Sequence, residues 1–205
     1  MKNGLKKIKI AITGGIGSGK SQAAKFIKEL GFAVFSCDEI YKDIILSSKY
    51  ITQVKKRIPE CVIDNQIDKK ILAKIVFADT KRRKDLNNIA HPMIMDELLS
   101  AMKNAPTKLV FAEVPLLFEG QYENLFDFVI VIQRDITQRM ESVKIRDGMS
   151  EEEIVSRMQS QFDYSKIKDL KFFENEKFIV IDNSGTLTEL EKKLISIVNR
   201  LNLLT

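Results

Sequence analysis

Continuously apolar runs alternate with helix-spaced apolar residues along most of the chain, and this alternation sets the expected architecture. The runs Ile8 to Thr13, Phe32 to Ser36, Lys108 to Val114, Phe128 to Ile132 and Phe178 to Asp182 have the length and character of buried strands. Between them the spacing turns helical. Gln22 to Leu30 sets Ala23, Ala24, Phe26, Ile27 and Leu30 on one face, and Gly31 follows as a left-handed cap. From Glu39 to about Asn104 the pattern is helical and charged, and no strand is expected. There Asp68 caps a helix running through Phe77, Thr80 caps the next, and Pro92 starts or kinks the one after it. Asp135 to Arg146 reads as a helix, and Ser150-Glu151-Glu152-Glu153 as a capping box opening another that runs to about Gln161. A polar, lysine-rich connection then reaches Glu176, and Thr186-Leu187-Thr188-Glu189 caps a closing helix through about Leu201.

The first strand and first helix are joined by Gly14-Gly15-Ile16-Gly17-Ser18-Gly19-Lys20-Ser21, which matches the phosphate-binding pattern G-x-x-x-x-G-K-[ST] in the strand–loop–helix context that pattern requires. Glycines let the backbone fold around a triphosphate with its N–H groups turned inward. Gly15, Ile16, Gly17, Ser18 and Gly19 form that cradle, with Gln22 in the first turn beyond it. Lys20 supplies charge for the β and γ phosphates. The Ser21 hydroxyl is a hard oxygen suited to Mg²⁺, at a helix start whose dipole favours an anion. The expected fold class is therefore α/β, a three-layer P-loop NTPase fold with a five-stranded parallel sheet and right-handed crossovers, plus two helical additions. Residues 1–38, 107–138 and 177–205 form the nucleotide-binding core, 39–106 a substrate-binding insertion and 139–176 a lid.

Composition changes this picture little. The 205 residues suffice for one large domain with insertions, and 44% hydrophobic with 30% charged residues describes an ordinary folded protein. A net charge of +5, from 33 basic and 28 acidic residues, suits a polyanionic small molecule as well as nucleic acid. The basic residues show no aromatic interleaving, which disfavours a nucleic-acid partner. Cys37 and Cys61 form no C-x-x-C pair and point to a reducing compartment. No apolar stretch approaches the ~20 residues needed to span a bilayer. The expected setting is the cytoplasm, without membrane attachment, and a monomer is favoured.

Phosphoryl transfer asks for positioning, Mg²⁺, a group to receive the acceptor's proton, and cations around the transferring phosphoryl. Asp38, at the end of the second strand, is placed either to accept that proton or to cap the helix that follows. Glu113 ends an apolar strand, where it holds metal-bound water or forms a salt bridge. Arg139 and Arg146 fall on one helix face and Arg157 on the next helix, as lid cations or as solvated side chains. Asn183 ends the last strand, to read an adenine edge or to turn the chain before Gly185. His91, the single histidine, has no adjacent acid or cysteine and reads as a helix-start residue.

Taken together, Ile12 to Ser21, Asp38, His91-Pro92, Val114-Pro115-Leu116-Leu117-Phe118-Glu119 and Ile181-Asp182-Asn183-Ser184-Gly185 resemble the dephospho-CoA kinase family along nearly the whole chain. The resemblance implies transfer of the ATP γ-phosphate to the ribose 3′-hydroxyl of dephospho-coenzyme A, with Mg²⁺. It implies Asp38 as general base, Lys20, Arg139 and Arg146 around the phosphoryl group, and Asn183 beside the adenine. It also implies an acceptor pocket from Lys42, His91, Pro92, Pro115 and Leu116, within a coenzyme-A-binding insertion. Departures are local: Ser36-Cys37-Asp38 replaces Asp-Ala-Asp, Lys42 replaces an arginine, and Lys177-Phe178 replaces Ala-Asp. Two other readings compete. One is a nucleoside or nucleotide kinase of the same fold. The other is a guanine-nucleotide switch, since Asp182 to Gly185 matches D-x-x-G, although the chain lacks N-K-x-D.

Overall fold

A computed structural model describes residues 6–164, 167 and 177–203. The chain divides into two compact units, Met1–Val34 with Met102–Thr205, and Phe35–Ala101.

The first unit is built on a parallel sheet. Its strands β1 (Ile8–Thr13), β2 (Ala33–Ser36), β5 (Leu109–Glu113), β6 (Phe128–Gln133) and β7 (Phe178–Asp182) lie in the order β2-β5-β1-β6-β7. β1 is thus central, paired in parallel with β5 on one side and β6 on the other. Register places Ile12 opposite Glu113 and Thr13 opposite Val131, and it carries β6 on to Gln133 opposite Asp182. The strand ends that carry polar residues therefore align at one edge, where open α/β sheets bind ligands.

Alternation explains the burial. Ile10, Ile12, Phe111, Ile130 and Ile132 pack in one cluster with Ala23 and Ile27 of α1 (Lys20–Glu29) and Leu190, Leu194 and Val198 of α8 (Leu187–Leu203). Ala11, Val110, Ala112, Val129 and Val131 are buried from the other face. Two further helices, α6 (Ile136–Asp147) and α7 (Glu151–Gln159), follow β6. The capping boxes expected at Ser150 and Thr186 are both formed, each with its reciprocal pair of hydrogen bonds. Gly31 takes the left-handed conformation after α1, at φ 91°. Leu30, however, is 40% exposed: α1 ends at Glu29, and its buried stripe stops at Ile27.

The second unit is helical, with α2 (Cys37–Ile44), α3 (Ser48–Arg57), α4 (Lys69–Ala78) and most of α5 (Thr80–Lys103). Its core gathers Ile44, Ile45, Tyr50, Val54, Ile58, Leu72, Leu86 and Ile89. Cys37 and Cys61 are both buried thiols.

Four expectations are corrected here. The stretch expected to lack strands contains an antiparallel hairpin, β3 (Val62–Ile63) and β4 (Gln66–Ile67). Its turn is Asp64-Asn65, at φ 49° and 58°, the paired positive values of a tight hairpin turn that these residue types tolerate. The cap of α5 is Asp79 and not Thr80: Lys81 N and Arg82 N donate to Asp79 Oδ1 at 2.8 and 3.1 Å. Asp68 does cap α4, as expected. Pro92 starts no helix, since α5 runs through it; the ring removes one N–H, and neighbours packed on the core sustain the rest. Finally, Asp38 is not the cap of α2, because Ser36 holds that position and Asp38 lies in the first turn. Of the connection expected to run to Glu176, residues 165–166 and 168–176 lie outside the described residues, while Tyr164 and Ile167 are buried.

Candidate active site

The loop between β1 and α1 is shaped by its glycines. Gly17 has φ 76°, and a β-carbon there would run into the Arg139 backbone carbonyl. Gly19 has φ 98°, and a β-carbon there would run into the Asn183 carboxamide. A side chain at either position would meet both a strained backbone and a close neighbour. The loop closes on itself, with Ser18 N donating to the Gly15 carbonyl at 3.1 Å and Lys20 Nζ donating to the same oxygen at 3.1 Å. The lysine is thereby held across the loop.

At the exit of the loop, Ser21 Oγ donates to Glu113 Oε1 at 2.7 Å. This pairs a hydroxyl with a carboxylate, the hard oxygen chemistry that suits Mg²⁺. The Glu113 carboxylate also acts electrostatically on Arg146.

Arg139, in the first turns of α6, lies over the loop. Its Nε donates to the Ile16 carbonyl at 2.9 Å, and burial lowers its pKa against the raising effect of Tyr164. Arg146, two turns further on, is exposed and forms a bidentate pair with Asp147, at 2.8 and 2.7 Å. That hydrogen bonding raises its pKa.

Asn183 follows β7 and reaches the phosphate loop. It is buried, and its Nδ2 donates to the Ser18 carbonyl at 2.8 Å, so the amide supports the loop directly. Its own N–H donates to the Gln133 carbonyl at 2.8 Å. Asp182 beside it accepts from Ser184, which lowers its pKa.

Sequence reasoning missed the segment that follows α7. Ile16 N donates to Gln161 Oε1 at 2.8 Å, and the Tyr164 hydroxyl bonds the Thr13 hydroxyl at 3.1 Å. Burial pushes the Tyr164 phenol up to about 12. Phe162 N donates to Glu119 Oε1 at 2.7 Å, giving the last residue of the Val114–Glu119 motif a definite partner. No periodicity marks Gln161 or Tyr164, because both act as single residues on a turn. Beside the loop opens a cleft of about 990 Å³, lined by residues that include Ile136, Met140, Val155, Met158, Phe162 and Asp182.

In the second unit, Asp38 and Lys42 are exposed on α2, one helical turn apart and so on one face. His91 and Pro92 lie on α5, beside Ala90 of the same core that receives Ile44. Pro115 and Leu116 follow β5 in the first unit, with Leu116 exposed.

The family model for dephospho-CoA kinase matches residues 8–189. The chain belongs to the dephospho-CoA kinase family. It is 30% identical over 192 residues to a dephospho-CoA kinase of Thermus thermophilus, covering 94% of this chain and 91% of that one. Among solved structures it is similar to TT1252 from Thermus thermophilus, with a TM-score of 0.80, 30% identity, and 96% and 98% of the two chains covered. A dephospho-CoA kinase from Campylobacter jejuni gives a TM-score of 0.65 at 28% identity, over 94% and 96% of the chains. Members of the family are kinases acting on an alcohol group, and the five-stranded parallel P-loop sheet of this chain accords with that membership. Among the described residues, no helix is long and apolar enough to cross a membrane.

Proposed function

We propose that this chain transfers the γ-phosphoryl group of ATP to the ribose 3′-hydroxyl of dephospho-coenzyme A, releasing ADP and coenzyme A. The observation that carries the reading is the coincidence of a formed phosphate loop, with Lys20 drawn across it, and the family's sequence over residues 8–189. The acceptor oxygen attacks the γ-phosphorus, the bond to the β-bridging oxygen breaks, and the hydroxyl proton passes to the Asp38 carboxylate. Asp38 suits this role because it is exposed, two residues beyond a strand of the same sheet. Lys20 and Arg139, with Arg146 from the lid at 139–176, balance charge on the phosphates. Asn183 contributes through Ser18, which it holds in place.

Ser21 and Glu113 are the residues that would hold Mg²⁺, Glu113 by way of bound water. Held there, the ion would supply positive charge against the phosphates. The cleft beside the loop would receive the adenosine end of ATP, since its size and apolar walls suit a small ligand. Lys42, His91, Pro92, Pro115 and Leu116 serve the acceptor, the first three within an insertion that binds coenzyme A. Buried cysteine thiols accord with work in a reducing cytoplasm.

The test is a kinase assay with ATP and Mg²⁺ over a panel of acceptors, following coenzyme A directly. Dephospho-coenzyme A is expected to be preferred, and Asp38→Asn to lower kcat by about 10²–10⁴-fold with ATP affinity retained. Preference for a nucleoside or nucleotide acceptor overturns the substrate assignment. Turnover unchanged in Asp38→Asn removes Asp38 as base.

A further inference from the structure

Ile16 is held by both of its backbone polar groups, and by side chains from two separate parts of the chain. Its N–H donates to Gln161 Oε1 at 2.8 Å, and its carbonyl accepts from Arg139 Nε at 2.9 Å. A backbone N–H can pair only with an acceptor, so the carboxamide must present its oxygen here.

Gln161 also stands on a fixed mount. The next residue donates its N–H to Glu119, and Gln133 Nε2 donates to the Tyr164 carbonyl at 2.8 Å. Tyr164 is hydrogen-bonded to Thr13 at the end of β1. Between these anchors Phe162 packs on Phe118 with ring centroids 4.6 Å apart and on Tyr164 at 5.3 Å. With the backbone on its carboxyl side anchored in this way, Gln161 presents its carboxamide from a fixed position, so its hydrogen bond transmits position efficiently.

We propose that Gln161 is a positioning residue for the ATP phosphates: with Arg139 it clamps the Ile16 peptide groups, so the outer limb of the phosphate loop is set before nucleotide arrives. The Ile16 N–H is engaged by this mount. The clamp rests on the kinase reading for its consequence, yet the hydrogen bond itself is measurable without nucleotide.

Amide exchange on the full-length protein without ATP is the first measurement, comparing wild type with Gln161→Ala and with Gln161→Met, which keeps volume but carries no oxygen. Exchange at Ile16 is expected to quicken about tenfold or more, with Ile10 and Ile12 of β1 unchanged. Gln161→Glu, which keeps an oxygen acceptor, should retain the protection. In the second arm, Gln161→Met should weaken ATP binding about five- to tenfold and raise the ATP KM in parallel. The acceptor KM and kcat should stay within about twofold. Unchanged exchange at Ile16, or ATP binding in Gln161→Met that is unchanged or tighter, overturns the proposal. Failure of the kinase reading would show differently, as wild-type protein that does not bind ATP.

Discussion

The Ser21 hydroxyl donates to the Glu113 carboxylate at 2.7 Å, joining the first turn of α1 to the last residue of β5. The contact follows from strand register, because Glu113 lies opposite Ile12, one residue before β1 ends. A hydroxyl and a carboxylate at the exit of a phosphate loop predict a shared part in Mg²⁺ use. Glu113→Gln keeps a hydrogen-bond partner for Ser21 but loses the charge. It should raise the Mg²⁺ concentration for half-maximal activity by about 10–100-fold. Initial rates measured against Mg²⁺ at fixed ATP will check this, and an unaltered Mg²⁺ curve would count against Glu113.

Asn183 predicts a loss of ATP affinity by an indirect route. Truncation in Asn183→Ala leaves the Ser18 carbonyl without its 2.8 Å partner. The expected cost is about 1–3 kcal/mol of stability, together with about tenfold weaker ATP binding. Calorimetric titration with ATP and chemical denaturation read the two effects separately. If adenine recognition were the main role, ATP and GTP affinities would change unequally and stability would hardly move.

The assignment of the α5 cap to Asp79 is tested by comparing two neighbours. Asp79→Ala should destabilise the protein by about 1 kcal/mol, since two helix N–H groups lose the same carboxylate oxygen. Thr80→Ala should stay within about 0.5 kcal/mol, because Thr80 is already the first helical residue. Urea denaturation of both variants decides between them.

Asp182 predicts a pH dependence of stability. Hydrogen bonds from Ser184 hold its pKa below the ordinary aspartate value of 3.8. A depressed folded-state pKa gives stability that is present above the unfolded value and lost as pH falls through the folded one. The stability gap between wild type and Asp182→Asn should therefore be constant from neutral pH down to about 4 and close below it. Urea midpoints measured across that range report the gap.

Much of the donor half of the site is legible in the sequence because its parts are contiguous. Gly14 to Ser21 is one stretch, and the apolar runs on either side of it leave little choice of secondary structure. The capping boxes at Ser150 and Thr186 are legible for the same reason, each being a local pattern of four residues. What escapes is whatever depends on distance along the chain. Gln161 meets Ile16 across 145 residues, and Asn183 meets Ser18 across 165. A glutamine on a turn carries no periodic signal, and the amide of Asn183 offers an adenine as good a partner as a carbonyl. The hairpin at Val62 to Ile67 is a different kind of miss. Its Asp-Asn turn is a recognised local signal, but a two-residue strand is too short to show alternation against a charged helical background.

Asp79 also governs where the second unit tolerates a change of length. Its N–H completes α4 on the Ile75 carbonyl, while its own carbonyl and carboxylate begin α5, so a single residue serves as the entire joint. An epitope inserted there would separate one helix end from the next helix start and leave both frayed. Asp64-Asn65, exposed at the tip of its hairpin, carries no such double duty. A tag, a fluorophore-bearing loop or a new chain terminus belongs at the hairpin tip, and the joint at Asp79 should be left as it is.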